Sequence, residues 1–259
     1  MSLETVTMRD VPYVRRPITT NPPNSPTARQ CHDCGARHIG LCDALSDDDI
    51  GFLARVAQSV SMPAGKSFIE EGSPSAYFYD INLGDVRVHK SLPDGRRQIT
   101  GFMGIGHFLG LSVSGTYAFS AEALNDVQLC RFDRSSLLSV FAEFPAIEAK
   151  LLEVAVHEMV IAQEQMLLLG RKTALERVAS FIDSWTERHA PLSNRPRSYA
   201  PVTFLLPMNR TDLADYLGLT PETVSRSFSQ LKRDGLINFN NPQEISVLQP
   251  HHIAAMTCG

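Results

Sequence analysis

Three cysteines stand within twelve residues, as Cys31-x2-Cys34-x7-Cys42 in the segment CHDCGARHIGLCDAL. Thiolates this close in sequence can converge on one metal centre, and a four-thiolate site then needs one more donor from elsewhere in the chain. Cys130, inside the β-like run VQLCRF, is the candidate for that fourth position. The same residues admit other chemistry: a CxxC redox dithiol, a zinc site completed by His32 or His38, or plain buried thiols. For Cys130 alone, a small core residue is the simpler reading. A set of four thiolates does not by itself separate zinc from an iron–sulfur cluster. Cys258, one residue from the C-terminus, has no assigned role.

The second chemically pointed stretch is MNRTDLADYLGLTPETVSRSFSQLKRDGLI. Asp212 to Leu217 reads as a short helix and Gly218 as a turn. Thr220 is an N-cap followed by Pro221 at the first helical position, and Gly235 stands where a helix C-terminal glycine belongs. Two helices joined by a tight glycine turn make a helix-turn-helix. At about 100° per residue, Glu222, Ser225, Arg226, Ser229 and Arg233 share one side of the second helix, and Val224, Phe228 and Leu231 take the other. One side is core and the other is free to enter a DNA groove. Arg226 has the fork that matches guanine O6 and N7, and Glu222 can accept from the amino group of a cytosine. Glu222 alone could simply complement the positive helix N-terminus; beside Ser225 and Arg226 it reads as part of a recognition set. The following LINF, Asn240-Asn241-Pro242 and EISVL read as two strands and a turn, which makes the unit a winged helix-turn-helix.

The remaining elements must position these two sets. Residues 1–30 carry five prolines without apolar periodicity and read as a flexible leader. From about Ala64 to Phe132, short β-rich runs punctuated by Gly72-Ser73-Pro74, Gly84-Asp85 and Pro93-Asp94-Gly95 predict a small antiparallel barrel or roll. From about Phe144 to Leu169 there is no interior glycine, and the only proline stands at the start. This long helix carries a broad apolar stripe of Leu151, Val154, Met159, Ile161, Ala162, Met166 and Leu169. It reads as a two-chain seam or as a helix buried against its own chain. Glu158 and Gln165 lie close to the stripe, where a carboxylate sets register or makes association conditional. A second amphipathic helix, Ala174 to about Arg188, and a proline-rich loop follow. The expected division is therefore a leader (1–30), a cysteine segment with β domain (31–142), a long helix (143–170) and a winged helix-turn-helix (171–259), an α+β chain.

The 259 residues carry a net charge of −4, so composition alone does not advertise nucleic acid. The charge is uneven, at +2 for residues 171–259 and −6 for the rest. An odd count of five cysteines argues against a disulfide framework, and the absence of a secretory h-region or an apolar span points to the cytoplasm and away from membranes. No Ser-His-Asp set or carboxylate pair stands in a recognisable context, and the CxxC lacks the βαβ setting of a thioredoxin-like enzyme, so no enzyme is expected.

Taken in order, the cysteine group, GDVRVHKSLPDGRRQITGF with GHFLGL, the long helix ending QMLLLGRKTALERVASFI and the reading helix TPETVSR resemble the cAMP receptor protein and fumarate-nitrate reduction regulator superfamily of bacterial transcription factors. The cysteines together with Glu222, Ser225 and Arg226 resemble its oxygen-sensing fumarate-nitrate reduction branch. The resemblance implies a 4Fe-4S cluster on Cys31, Cys34, Cys42 and Cys130, conversion to a 2Fe-2S form and then loss in oxygen, and a homodimer that depends on the intact cluster. It implies a TTGAT-N4-ATCAA type site, read by Arg226 on guanine, Glu222 on its paired cytosine and Ser225 on an adjacent base pair. Pro221 stands where the family often has another apolar residue. It also implies that Pro93-Asp94-Gly95-Arg96-Arg97 faces RNA polymerase, although this loop is more basic than acidic versions in the family. The positions that hold ribose and phosphate in cAMP-binding relatives align with Leu111 and Phe119, which cannot replace a Glu and an Arg, so no cAMP is expected. The main alternative is a regulator of the same family whose cysteines bind zinc or form a redox disulfide.

Overall fold

The computed structural model describes residues 26–189 and 200–257. The leader before residue 26, most of the polar loop after the second amphipathic helix, and Cys258 lie outside the described residues. The leader ends earlier than expected, because Thr27 and Gln30 form a capping box that starts α1 (Ala28–His32). A 3-10 turn at Leu41–Ala44 and α2 (Ile50–Val56), neither anticipated, lead into the β domain.

Eight strands follow: β1 (Ala57–Met62), β2 (Ser67–Ile69), β3 (Tyr77–Leu83), β4 (Val86–Ser91), β5 (Arg97–Met103), β6 (Phe108–Leu109), β7 (Ser120–Ala123) and β8 (Val127–Asp133). They form two antiparallel sheets in the orders β1-β8-β3-β6 and β2-β7-β4-β5. Ile69, Ile81, Val86, Val88, Ala121, Val127 and Leu129 fill the space between them. The period of two then decides what the opposite face of the first sheet carries. On β8, Val127 and Leu129 point into that core, so Cys130 and Phe132 alternate outward. Phe78 and Phe132, register partners on β3 and β8, lie under a second core built with Leu41, Leu45, Ile50 and Leu53 of the cysteine segment.

Next come α3 (Arg134–Glu143), capped by Asp133, and α4 (Pro145–Arg171). At 1.5 Å per residue α4 is about 40 Å long. Its first turns contribute Ile147 and Leu151 to the core beneath the cysteine segment, and Leu168 near its far end joins the core of the C-terminal domain. One helix thus has an end in each domain.

The C-terminal domain comprises α5 (Ala174–His189), β9 (Val202–Leu205), α6 (Arg210–Leu217), α7 (Pro221–Arg233), β10 (Ile237–Phe239), β11 (Glu244–Val247) and α8 (Pro250–Ala255). Its sheet has three strands, in the order β10-β11-β9, where two were expected. The extra strand comes from Val202-Thr203-Phe204-Leu205, of which Phe204 alone is buried, and Val202 and Phe204 pair with Val247 and Ile245. Among the described residues no helix is long and apolar enough to cross a membrane.

Candidate metal centre and nucleic-acid interface

Cys31 is in α1, Cys34 in the turn after it, Cys42 in the 3-10 turn and Cys130 at the middle of β8, between Ser59 of β1 and Asp80 of β3. All four are free thiols, neither fully exposed nor fully buried. They face one another closely enough for each charge to be felt by the next. Burial, and then Cys34, push the Cys31 thiol up, with Arg37 opposing. The Cys42 thiol is pushed far up by burial, then by Asp80, Cys130, Cys31 and Cys34. Cys130 is pushed up to about 12, chiefly by burial; the Asn82 amide, donating to its Sγ at 3.1 Å, works the other way. Without a cation Cys31, Cys42 and Cys130 therefore stay protonated at neutral pH. Among the described residues, no three His, Cys, Asp or Glu side chains are gathered tightly enough to hold a single ion.

What holds the segment in place is a residue that the pattern of cysteines does not reveal. Arg37, 3% exposed, donates to the carbonyls of Cys42 and Leu45 and to Asp47 Oδ1, the last two at 2.7 and 2.8 Å. An arginine between two cysteines looks like a solvated charge; only the closed loop shows that it satisfies three acceptors at once. Beneath it, the fully buried Asp80 has its carboxyl pushed up to about 7 by burial, opposed by a backbone hydrogen bond from Leu41. A close approach completes the fit. Gly106 has φ +83° and supports Ile39 so closely that a Cβ there would lie 2.9 Å from the Ile39 side chain.

The reading helix α7 has the local structure that its residues dictate. Thr220 Oγ1 accepts from the amide of Thr223 at 3.2 Å, and Pro221 takes the first helical position. Gly218, at φ +61°, makes the turn from α6; a Cβ there would lie 3.1 Å from Leu169 of α4, so the left-handed turn and the tight approach both favour glycine. Val224, Phe228 and Leu231 are buried, whereas Glu222, Ser225, Arg226, Ser229 and Arg233 are exposed. Pro221 is half-buried at the edge of that face. Ser225 Oγ donates to the Pro221 carbonyl at 2.8 Å, which leaves its lone pairs outward. The wing turn is held by Asn241 Oδ1, which accepts from the amides of Gln243 and Glu244 at 3.0 and 2.9 Å.

The stripe on α4 divides. Leu151 is buried, and Val154, Glu158, Ile161 and Leu169 are half-buried, on the sides that face this chain's own domains. Met159, Ala162 and Met166 are exposed, with Met166 at 71%. Glu158 is thus not on the open side. It lines a cavity of about 820 Å³ between the second sheet, α4 and the C-terminal domain, where burial pushes its carboxyl up against the opposing charges of His157 and Arg188. The open side instead repeats Leu152, Val156, Met159, Gln163, Met166 and Gly170 at spacings of four and three, a heptad seam with a polar residue inside it. Leu111 and Phe119 both line the cavity.

Comparison with known proteins gives this arrangement a family. Residues 59–144 match the cyclic nucleotide-binding domain model and residues 176–256 the Crp-like helix-turn-helix domain model. The chain is 38% identical over 231 residues to the nitrogen fixation regulation protein FixK of Bradyrhizobium diazoefficiens, covering 89% of this chain and 95% of that one. The chain belongs to the Crp/Fnr family of DNA-binding transcription regulators. It is also 36% identical to the transcriptional activator protein FnrL of Cereibacter sphaeroides, over 84% of this chain and 88% of that one. Its fold superposes on the structure of FixK2 from Bradyrhizobium japonicum with a TM-score of 0.70 at 36% identity, covering 78% of this chain and 97% of that one. As in other Crp/Fnr proteins, the work of this chain is regulation rather than catalysis. Cys31, Cys34 and Cys42 precede the first residue matched by either domain model, whereas Cys130 lies inside the cyclic nucleotide-binding match.

Proposed function

We propose that this Crp/Fnr regulator senses oxygen through a 4Fe-4S cluster held by Cys31, Cys34, Cys42 and Cys130, and that the cluster-bearing form is a homodimer which binds TTGAT-N4-ATCAA type sites. The observation that carries this reading is that four free, partly buried thiols, three from the N-terminal segment and one from the first sheet, lie near enough for Cys42 and Cys130 to feel the charges of Cys31 and Cys34. The donor set suits a soft iron–sulfur centre. Bound there, a 4Fe-4S cluster supplies oxygen-labile bonds between segments that are otherwise joined by packing and hydrogen bonds.

The chain's own residues carry the consequence to DNA. Leu41 and Leu45 of the cysteine segment share one core with Ile147 and Leu151 of α4. Anchoring that segment to Cys130 therefore fixes the first turns of α4, and with them the seam of Leu152, Val156, Met159 and Met166 that a second copy covers. Gln163 inside the seam makes pairing weaker than an all-apolar seam would and fixes its register. The dimer presents two α7 helices to successive major grooves, about 34 Å apart. Arg226 addresses the guanine, Glu222 its paired cytosine and Ser225 a neighbouring pair, with Pro221 beside a thymine methyl. Regulation through RNA polymerase uses the loop at Pro93–Arg97, which is close to neutral outward, because Arg96 pairs with Asp94 and Arg97 turns inward to Asp215. The cavity is not a cAMP site in this reading: Leu111 and Phe119 offer nothing to ribose or phosphate, and Arg188 donates to the Phe102 carbonyl at 3.0 Å.

Single Cys→Ala variants at the four positions, purified without oxygen, test the ligand set. Each is expected to lose the cluster. Full iron and sulfide content in any one of them removes that residue from the set. Zinc in place of iron, or a disulfide that forms in air, would transfer the regulator to the zinc or thiol-switch reading.

A further inference from the structure

The loop that looks basic in sequence puts its second arginine to another use. Asp212, the third residue of α6, is 2% exposed. Its Oδ1 accepts from Arg87 Nη1 of β4 at 2.6 Å and from Arg97 Nη2 of β5 at 2.9 Å, while its Oδ2 accepts from the Asn209 amide and so helps cap α6. Arg97 Nε also donates to Asp215 Oδ2 at 2.8 Å, one turn along α6, and Arg87 Nη2 donates to Glu122 Oε1 of β7 at 2.6 Å. Around this network, Gln98 Nε2 donates to the Tyr216 carbonyl at 3.2 Å, and Phe102 packs against Phe181, Trp185 and Tyr216. β5 is an edge strand of its sheet. The helix-turn-helix is therefore fastened along the side of the β domain, independently of the covalent link through α4.

We infer that Arg87, Arg97, Asp212 and Asp215 form a latch that docks the helix-turn-helix on the β4–β5 edge and thereby fixes the direction in which α7 presents its reading face. Two arginines and two carboxylates pair across the junction, and pulling α6 away breaks three charge-assisted hydrogen bonds at once. Geometry adds specificity, since Arg97 binds two carboxylates one helical turn apart on the same face of α6. A reader held in one pose loses less freedom on meeting DNA, so the latch contributes affinity without touching a base.

Arg97 and Asp215 test the latch cleanly, because replacing Asp212 would also remove a helix cap. Arg97→Gln, Asp215→Asn and the double variant are made in the full chain, and hydrogen exchange of the β5 and α6 amides is measured together with affinity for a TTGAT-N4-ATCAA duplex. Each single change is expected to speed exchange and to weaken binding by about fivefold, the lower end of a typical coupling between sites. The double variant is expected to do little more than Arg97→Gln alone, since that change already removes the contact to Asp215 along with the one to Asp212. Unchanged exchange in the single variants, or strictly additive effects in the double, would overturn the latch. Faster exchange with unaltered DNA affinity would overturn its role in aiming α7. The exchange measurement does not depend on which sequence the regulator reads, so a wrong operator leaves that arm of the test intact.

Discussion

Arg226 and Arg37 are both arginines, yet their surroundings give them opposite tasks. Arg226 is exposed on the face of α7 that bears Glu222 and Ser225, free to make a paired contact to guanine. Arg226→Ala is expected to cost about 1–3 kcal/mol of discrimination at that base while leaving contacts to the phosphates in place. Competition binding against operators changed at the guanine measures this, and an unchanged ranking would refute the role. Arg37 is buried and ties the loop that carries Cys42. Hydrogen bonds from a charged donor are worth about 1.5–3 kcal/mol each, so Arg37→Ala is expected to lower iron and sulfide content under anaerobic purification although all four cysteines remain. Full content in that variant would reduce Arg37 to an ordinary core residue.

At the scale of elements, α4 explains why part of the molecule could be read in the sequence and part could not. The reading helix was legible because its signals are local: Thr220 caps it, Pro221 starts it and Gly218 turns it. The stripe on α4 was visible as apolar spacing, but its division was not, since Leu151 and Leu168 pack inward while Leu152, Met159 and Met166 remain open. A helix with apolar residues on more than one side does not say which side meets its own chain. The same limit hid the role of Arg37 and the third wing strand, both decided by distant partners. Two changes separate the faces of α4. Met159→Glu on the open seam is expected to abolish association and leave the folded monomer, as sedimentation would record; an intact dimer would contradict the seam. Glu158→Gln on the inward face acts through pH instead. Burial raises the Glu158 carboxyl in the fold, so its neutral form is favoured and the charged form costs stability as pH rises through that raised value. The Gln variant is therefore expected to melt at a higher temperature than the parent at pH 7 and at nearly the same temperature near pH 4. An equal difference at both pH values would mean that the carboxylate is not penalised.

Across the whole molecule, one path connects chemistry to recognition. The cysteine segment shares its core with the start of α4, the far end of α4 enters the core of the DNA-binding domain, and α6 is clasped to the β domain beside it. A change at the thiols can therefore reach the helix seam without any single long-range contact, by altering which arrangement of α4 is favoured. The proposal that this path responds to oxygen stands or falls on what the thiols hold. Iron, sulfide and zinc are to be quantified on one anaerobically purified sample, with its oligomeric state, before and after exposure to air. The expected result is about four irons and four sulfides per chain in a dimer, as four thiolates suit a 4Fe-4S cluster, with both metal and dimer lost in air. Zinc or no metal, with a dimer indifferent to air, would contradict it.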